Sequence, residues 1–161
     1  MKNFHYEIKK LPAYRAMGIK CDVAFTEMKK IKDVIQSAIN RVDELEYAVN
    51  KDTRLGFSYH IRSDGFVYYS AYEVREEQQL PEDMVEIHVP EMTYLVTKHD
   101  GGSIEETYGK IMEWLNENEY IVFKEQGVDY YDDLPIKHEK YPIDVDTRDP
   151  HFEILIPIEK L

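Results

Sequence analysis

The sequence predicts an α+β domain in which a strand–helix–strand–strand unit occurs twice, giving tandem βαββ units on an antiparallel sheet. Three observations carry this prediction: two amphipathic helical stripes, an Asp-Gly hairpin behind the first, and strand-like runs flanking both. In chain order, Leu11-Pro12 opens an extended segment over 13–23, where Tyr14, Ala16 and Gly18 alternate with Ala13, Arg15 and Met17. Met28, Ile31, Ile35, Ala38, Val42, Leu45 and Val49 then recur at spacings of three and four, the stripe of a helix packed on a sheet. Thr26 is the N-cap this stripe predicts. Two β-rich runs, 54–61 and 66–74, are joined by Arg62-Ser63-Asp64-Gly65, in which the glycine would accept the positive φ of a hairpin turn. Leu80-Pro81-Glu82-Asp83 closes the first half.

The second half repeats the order. A strand is expected over 92–99, broken by Asp100-Gly101-Gly102. Ser103-Ile104-Glu105-Glu106 has the form of a capping box, and the helix it opens runs to about Asn118 with Ile104, Tyr108, Ile111 and Leu115 on one side. Strands over 128–132 and 152–158 complete the unit, separated by an irregular stretch over 134–150. The pseudo-repeats fall at about 1–80 and 85–161, as a repeated order of elements rather than of residues.

Composition narrows the function. The chain has 161 residues, 43% of them apolar, enough for one domain with a real core. Against 20 Lys and Arg stand 32 Asp and Glu, a formal charge of −12 that argues against direct binding to nucleic-acid phosphates and against a polybasic membrane anchor. The imbalance lies in one half: residues 1–80 carry 12 acids and 13 Lys and Arg, residues 81–161 carry 20 and 7. Such a half is a solvated acidic face or an electrostatic funnel for cations. A single cysteine, Cys21, excludes an intrachain disulfide. With no apolar run of membrane-spanning length and no signal-peptide opening, a cytoplasmic protein is expected. Six scattered histidines give no metal-ligand spacing, and no nucleotide or cofactor fingerprint occurs, so neither metal nor cofactor is expected.

Several segments in order resemble one family. Leu11-Pro12-Ala13, the run Tyr68-Tyr69-Ser70-Ala71-Tyr72-Glu73-Val74, and Pro90, Tyr94, Val96 and His99-Asp100-Gly101 are similar to the GyrI-like small-molecule-binding domain. So are Tyr108, Ile111 and Trp114-Leu115, and the closing Phe152-Glu153-Ile154-Leu155-Ile156-Pro157-Ile158. This is also the effector-binding domain of some AraC- and MerR-type regulators. The resemblance implies a duplicated SHS2-like module, an antiparallel sheet and two long helices around a central cleft that accepts aromatic, often cationic, molecules beside an acidic residue. Two features depart from the family. No helix-turn-helix stands before Leu11, so a stand-alone binding domain is expected. And where many relatives carry Glu-x-Tyr on the penultimate strand, this chain has Asp129-Tyr130-Tyr131.

Glu73 is the most informative single residue. A carboxylate ending a run of aromatics is poorly solvated, so it needs a cationic partner or a raised pKa. That partner is a ligand, or else Arg75 or Arg62. Period two places Val67, Tyr69, Ala71 and Glu73 on one face, and Phe66, Tyr68, Ser70, Tyr72 and Val74 on the other. One face packs on helices, and the other lines the cleft. Tyr69 and Tyr59 are therefore expected beside Glu73, offering flat rings for stacking or cation–π contact. Trp114 is one position off the Tyr108–Ile111–Leu115 line and is expected at the cleft edge or in the core. Asp129 and Tyr131 share a face of the expected strand, opposite Tyr69. Sequestration or sensing of aromatic, drug-like or toxic molecules follows as the leading reading. The resemblance supports two alternatives: hydrolysis of electrophilic, cyclopropane-bearing genotoxins with Glu73 as general base, and an acidic interaction protein whose partner is a DNA enzyme such as gyrase.

Overall fold

The computed structural model describes residues 5–161. Its strands are β1 (Glu7–Leu11), β2 (Tyr14–Ala24), β3 (Thr53–Arg62), β4 (Gly65–Val74), β5 (Val85–Val89), β6 (Met92–Asp100), β7 (Tyr120–Val122), β8 (Ile136–Pro142) and β9 (His151–Lys160). The helices are α1 (Lys29–Asn40) and α2 (Ile104–Glu117). The described strands form one curled sheet in the order β1-β6-β9-β8-β3-β4-β2-β5, with β7 beside β9 and every pairing antiparallel. The strands β2, β4 and β3 on one side of the β3–β8 seam mirror β6, β9 and β8 on the other. The leading strands are exchanged: β1 pairs with β6, and β5 pairs with β2.

Both helices cover the same face of the sheet. Ala38 of α1 and Leu45 beyond it bury against Met17, Tyr72, Val74 and Met84. Ile111 and Leu115 of α2 bury against Leu95, Phe152, Ile154 and Ile156. The register runs from Ser70, a face-mate of Tyr72, through Gly56 and Glu139 to Ile154, so these residues point the same way. The expected arrangement of two helices around the cleft is thereby corrected. Each apolar stripe needs a sheet face to bury against, and both take the one opposite Glu73.

Other expectations change in instructive ways. The first stripe is one element in sequence but two in structure: α1 ends at Asn40 and a 3₁₀ turn follows over Val42–Glu44. At three residues per turn this turn keeps Val42, Leu45 and Ala48 on the buried side, so the apolar spacing survives the end of the helix. Thr26 is not the cap. It lies in a 3₁₀ turn, Phe25–Glu27, where the Glu27 carboxylate accepts the Ala24 N–H at 3.3 Å, and α1 starts behind Met28 without a side-chain cap. Ser103 does cap α2, its Oγ accepting the Glu106 N–H at 3.3 Å. The hairpin forms with Arg62 opposite Gly65, but the positive-φ glycines are Gly101, Gly102 and Gly127. Gly65 is needed for another reason: a Cβ there would stand 1.9 Å from the Val23 carbonyl oxygen. Residues 128–132 form no strand. The partner of β3 is instead β8, inside the stretch expected to be irregular, where charged Lys137, Glu139 and Lys140 interrupt the apolar signal of a central strand.

Candidate functional site

The face of the sheet without helices carries a cleft of about 960 Å³. Its floor comes from β2, β4 and β5, where the register sets Ala16 opposite both Glu73 and Ile87, and Tyr14 opposite Val89. The far wall is the chain between β7 and β8, which contributes Phe123, Glu125 and Tyr130. Beneath the cleft lies an apolar layer that includes Leu55, Phe57, Ala71 and Ile87, with Tyr14, Tyr59, Tyr69 and Met92 packed on it.

Glu73 lies in the cleft wall, half-buried, at the end of β4. Its backbone carbonyl accepts the Val49 N–H at 2.9 Å, which ties the strand end down. Among the described residues its carboxylate has no hydrogen bond or ion pair. Arg62 is committed to Asp22 and Asp64 at the hairpin tip. Arg15, the next cation in the wall, pairs with Glu86, and it also donates to the carbonyls of Arg75 and Glu76 at 3.1 Å and of Gln78 at 3.2 Å. Arg15 thus fixes the turn after β4 and brings no uncompensated charge to Glu73. His88 also pairs with Glu86.

Aromatic rings supply much of the remaining surface. Tyr59 lines the cleft, braced edge-on by Tyr69 with ring centroids 5.7 Å apart. The Tyr59 hydroxyl lies 3.4 Å from Nε2 of His138. Burial, and secondarily Lys140, pushes His138 down to about 3, so its ring is neutral, and the tautomer sets the direction of its hydrogen bond with Tyr59. Burial also raises the phenols of Tyr14 and Tyr59 far above their ordinary range; nearby Tyr94, Tyr59 and Glu73 add to the shift at Tyr14. The cleft therefore holds neutral hydroxyl donors beside a carboxylate.

The wall over residues 123–135 is pinned from behind. The Phe123 N–H donates to Pro157 at 2.9 Å, Tyr131 N–H to the His60 carbonyl at 2.9 Å, and His60 N–H to Pro135 at 2.8 Å. Lys137 Nζ donates to Asp132 at 3.0 Å and to His60 Nε2 at 2.9 Å. Burial, reinforced by Lys137, pushes His60 down to about 4, which keeps the imidazole neutral and able to accept that bond.

The expected site residues separate into two groups. Glu73 and Tyr59 line the cleft, and Tyr69 stands directly behind Tyr59. Trp114 does not reach it: on the helix-covered face, its ring stacks on Tyr120 at 5.6 Å and lies 5.9 Å from Tyr6. Asp129 and Tyr131 share no strand face, because their segment is a loop; Tyr131 is 55% exposed, and Tyr130 between them faces the cleft. Sequence reasoning missed Tyr14, Met92, Phe123 and Tyr130. Only Tyr14 had an available signal, the alternation of β2 that sets it on the face of Ala16. Among the described residues no group of three His, Cys, Asp or Glu is placed to hold a metal ion, and no helix is long and apolar enough to cross a membrane.

The sheet thus carries helices on one face and an aromatic, acid-bearing cleft on the other. Residues 4–159 match the model of the GyrI-like small molecule binding domain, and the chain belongs to that family. No curated protein matches it. Among solved structures, the EcmrR C-terminal domain is 16% identical with a TM-score of 0.69 over 98% of this chain and 99% of its own. In the EcmrR–DNA complex, where the TM-score is 0.72, this chain spans 58% of the EcmrR chain. SAV2435 bound to tetraphenylphosphonium is 15% identical with a TM-score of 0.65, covering 96% of this chain and 94% of its own. A hydrolase from Listeria innocua is 10% identical with a TM-score of 0.61, covering 96% and 91%. At these identities the likeness is one of fold.

Proposed function

We propose that the cleft binds aromatic cations, with Glu73 as counter-charge and Tyr14, Tyr59 and Tyr130 as the surfaces against which the rings stack. The observation that carries this reading is the half-buried Glu73 carboxylate, which lines a large aromatic cleft and makes no ion pair among the described residues, although Arg75 lines the same cleft. Withdrawing a carboxylate from water is costly unless its charge is compensated, and a ligand cation supplies that compensation together with cation–π contacts to the tyrosines. The tetraphenylphosphonium held by SAV2435, a structural neighbour, is a molecule of this class. Sequestration or sensing of drug-like or toxic cations is the corresponding biological role, and the strand order supports reading the two halves as one duplicated βαββ module of the SHS2 type.

Calorimetric titration with tetraphenylphosphonium tests the reading, with the ligand recovered and weighed by mass spectrometry. One equivalent bound and recovered unchanged supports binding. A suitable electrophile recovered with one added water over many equivalents would instead favour hydrolysis. In that case Glu73 would accept a proton from water while a neutral tyrosine donates one to the opened ring.

A further inference from the structure

Tyr94 stands in the middle of β6, between Lys9 of β1 and Pro157 of β9, on the cleft face of the sheet. It is 1% exposed, and its hydroxyl has no hydrogen-bond partner among the described residues. A buried hydroxyl without a partner destabilises a fold, and a phenylalanine would fill the same space without that cost. The neighbouring imidazole is already engaged: His138, whose ring centroid is 5.7 Å from that of Tyr94, lies with Nε2 against Tyr59. Tyr94 borders a side cavity of about 10 Å³ together with Leu11, Phe57, His138 and Leu155. That volume takes about one water-sized group. Tyr14 lines both this cavity and the large cleft, the one tyrosine the two share. Burial pushes the Tyr94 phenol up to about 12, so at neutral pH it keeps its proton and is able to donate it.

We infer that the Tyr94 hydroxyl is an inner hydrogen-bond donor of the binding site. The cleft thus selects aromatic cations that also carry a compact uncharged acceptor, such as a carbonyl oxygen, which passes Tyr14 into the side cavity while the charge stays at Glu73. This inference rests on the cation-binding reading above and adds to it a second, neutral point of recognition. Such a site discriminates by hydrogen bonding, because a ligand lacking the acceptor leaves the buried donor unpaired.

The test compares tetraphenylphosphonium with its analogue carrying a 4-acetyl group on one phenyl ring, each titrated calorimetrically into the wild-type protein and into Tyr94→Phe. The wild type should prefer the ketone by about tenfold, the size of one neutral hydrogen bond. Tyr94→Phe should bind both probes alike. Without ligand, the variant should melt a few degrees higher. Leu11→Phe, which fills the side cavity but keeps the hydroxyl, should lose the same preference. Equal affinity of the wild type for the two probes, or a ketone preference that survives in Tyr94→Phe, overturns the inference while leaving cation binding intact. If neither probe binds, or if Glu73→Gln binds both as tightly as wild type, the cation reading falls and the inference with it.

Discussion

At the scale of single residues, the account depends on what surrounds each polar group. Glu73 could be singled out in the sequence because a carboxylate closing a run that holds Tyr68, Tyr69 and Tyr72 is anomalous whatever the fold. Its surroundings could not, since Arg62 is drawn away to Asp22 and Asp64 at a hairpin tip, while Arg75 lines the cleft beside Glu73, and spacing describes neither. Tyr130 shows the limit more sharply. If 128–132 were a strand, parity would pair Asp129 with Tyr131; in a loop parity carries no information, and the residue between them enters the cleft. Trp114 was ambiguous because one position on a helix is a rotation of about 100°, enough to separate core from edge. Gly65 gives a prediction at this scale. Its hydrogen points at the backbone of β2, where a Cβ would meet the Val23 oxygen at 1.9 Å. Gly65→Ala should therefore lower stability by about 1–3 kcal/mol in urea unfolding. An unchanged midpoint would mean that the β2–β4 pairing is looser than described.

At the scale of elements, β2, β4, β6, α2 and β9 were legible because alternation, a 3.6-residue stripe, an N-cap serine or a turn sequence marked each one. β8 was not, although it holds the centre of the sheet. Its alternate positions are Ile136, His138 and Lys140, and a histidine buried by its neighbours looks polar in sequence. The same burial has a consequence for pH. His60 and His138 are pushed down to about 4 and about 3, whereas in the unfolded chain both titrate near the ordinary value of 6.5. Between these limits the unfolded state binds more protons, so stability is complete above about pH 6.5 and falls as the pH drops toward 4. Urea unfolding at pH 7 and pH 5 should differ by about 1–2 kcal/mol for each histidine. His60→Gln should shrink that difference. A flat profile between pH 7 and 5 would show that neither ring is held neutral by the fold. Because His60 also anchors the wall carrying Tyr130, acid should loosen the cleft before it unfolds the sheet.

At the scale of the molecule, an α+β domain with two helices on an antiparallel sheet was readable from the sequence, but the exchange by which β1 joins β6 and β5 joins β2 was not. Nothing in Glu7–Leu11 or Val85–Val89 states which edge it will join, because edge pairing is decided by what remains unpaired after the rest of the sheet has formed. The exchange makes each half incomplete alone: residues 5–80 lack β5 at one edge and β8 at the seam, and residues 85–161 lack β1 and β3. Expressed separately, the halves should give poorly dispersed amide spectra, whereas a chain cut within the Leu80–Asp83 turn should remain assembled and retain ligand binding. A half that folds and stays monomeric by itself would show that the seam and the exchanged strands add little.

The central claim is that an unanswered carboxylate makes this cleft a receptor for aromatic cations, and calorimetric titration of tetraphenylphosphonium into wild type and Glu73→Gln tests it most directly. The expected result is one site per chain, with affinity falling by about 10- to 100-fold in the variant, as loss of a charged contact of about 1.5–3 kcal/mol requires. A variant that binds the cation as tightly as the wild type, or a wild type that does not bind it at all, would contradict the account.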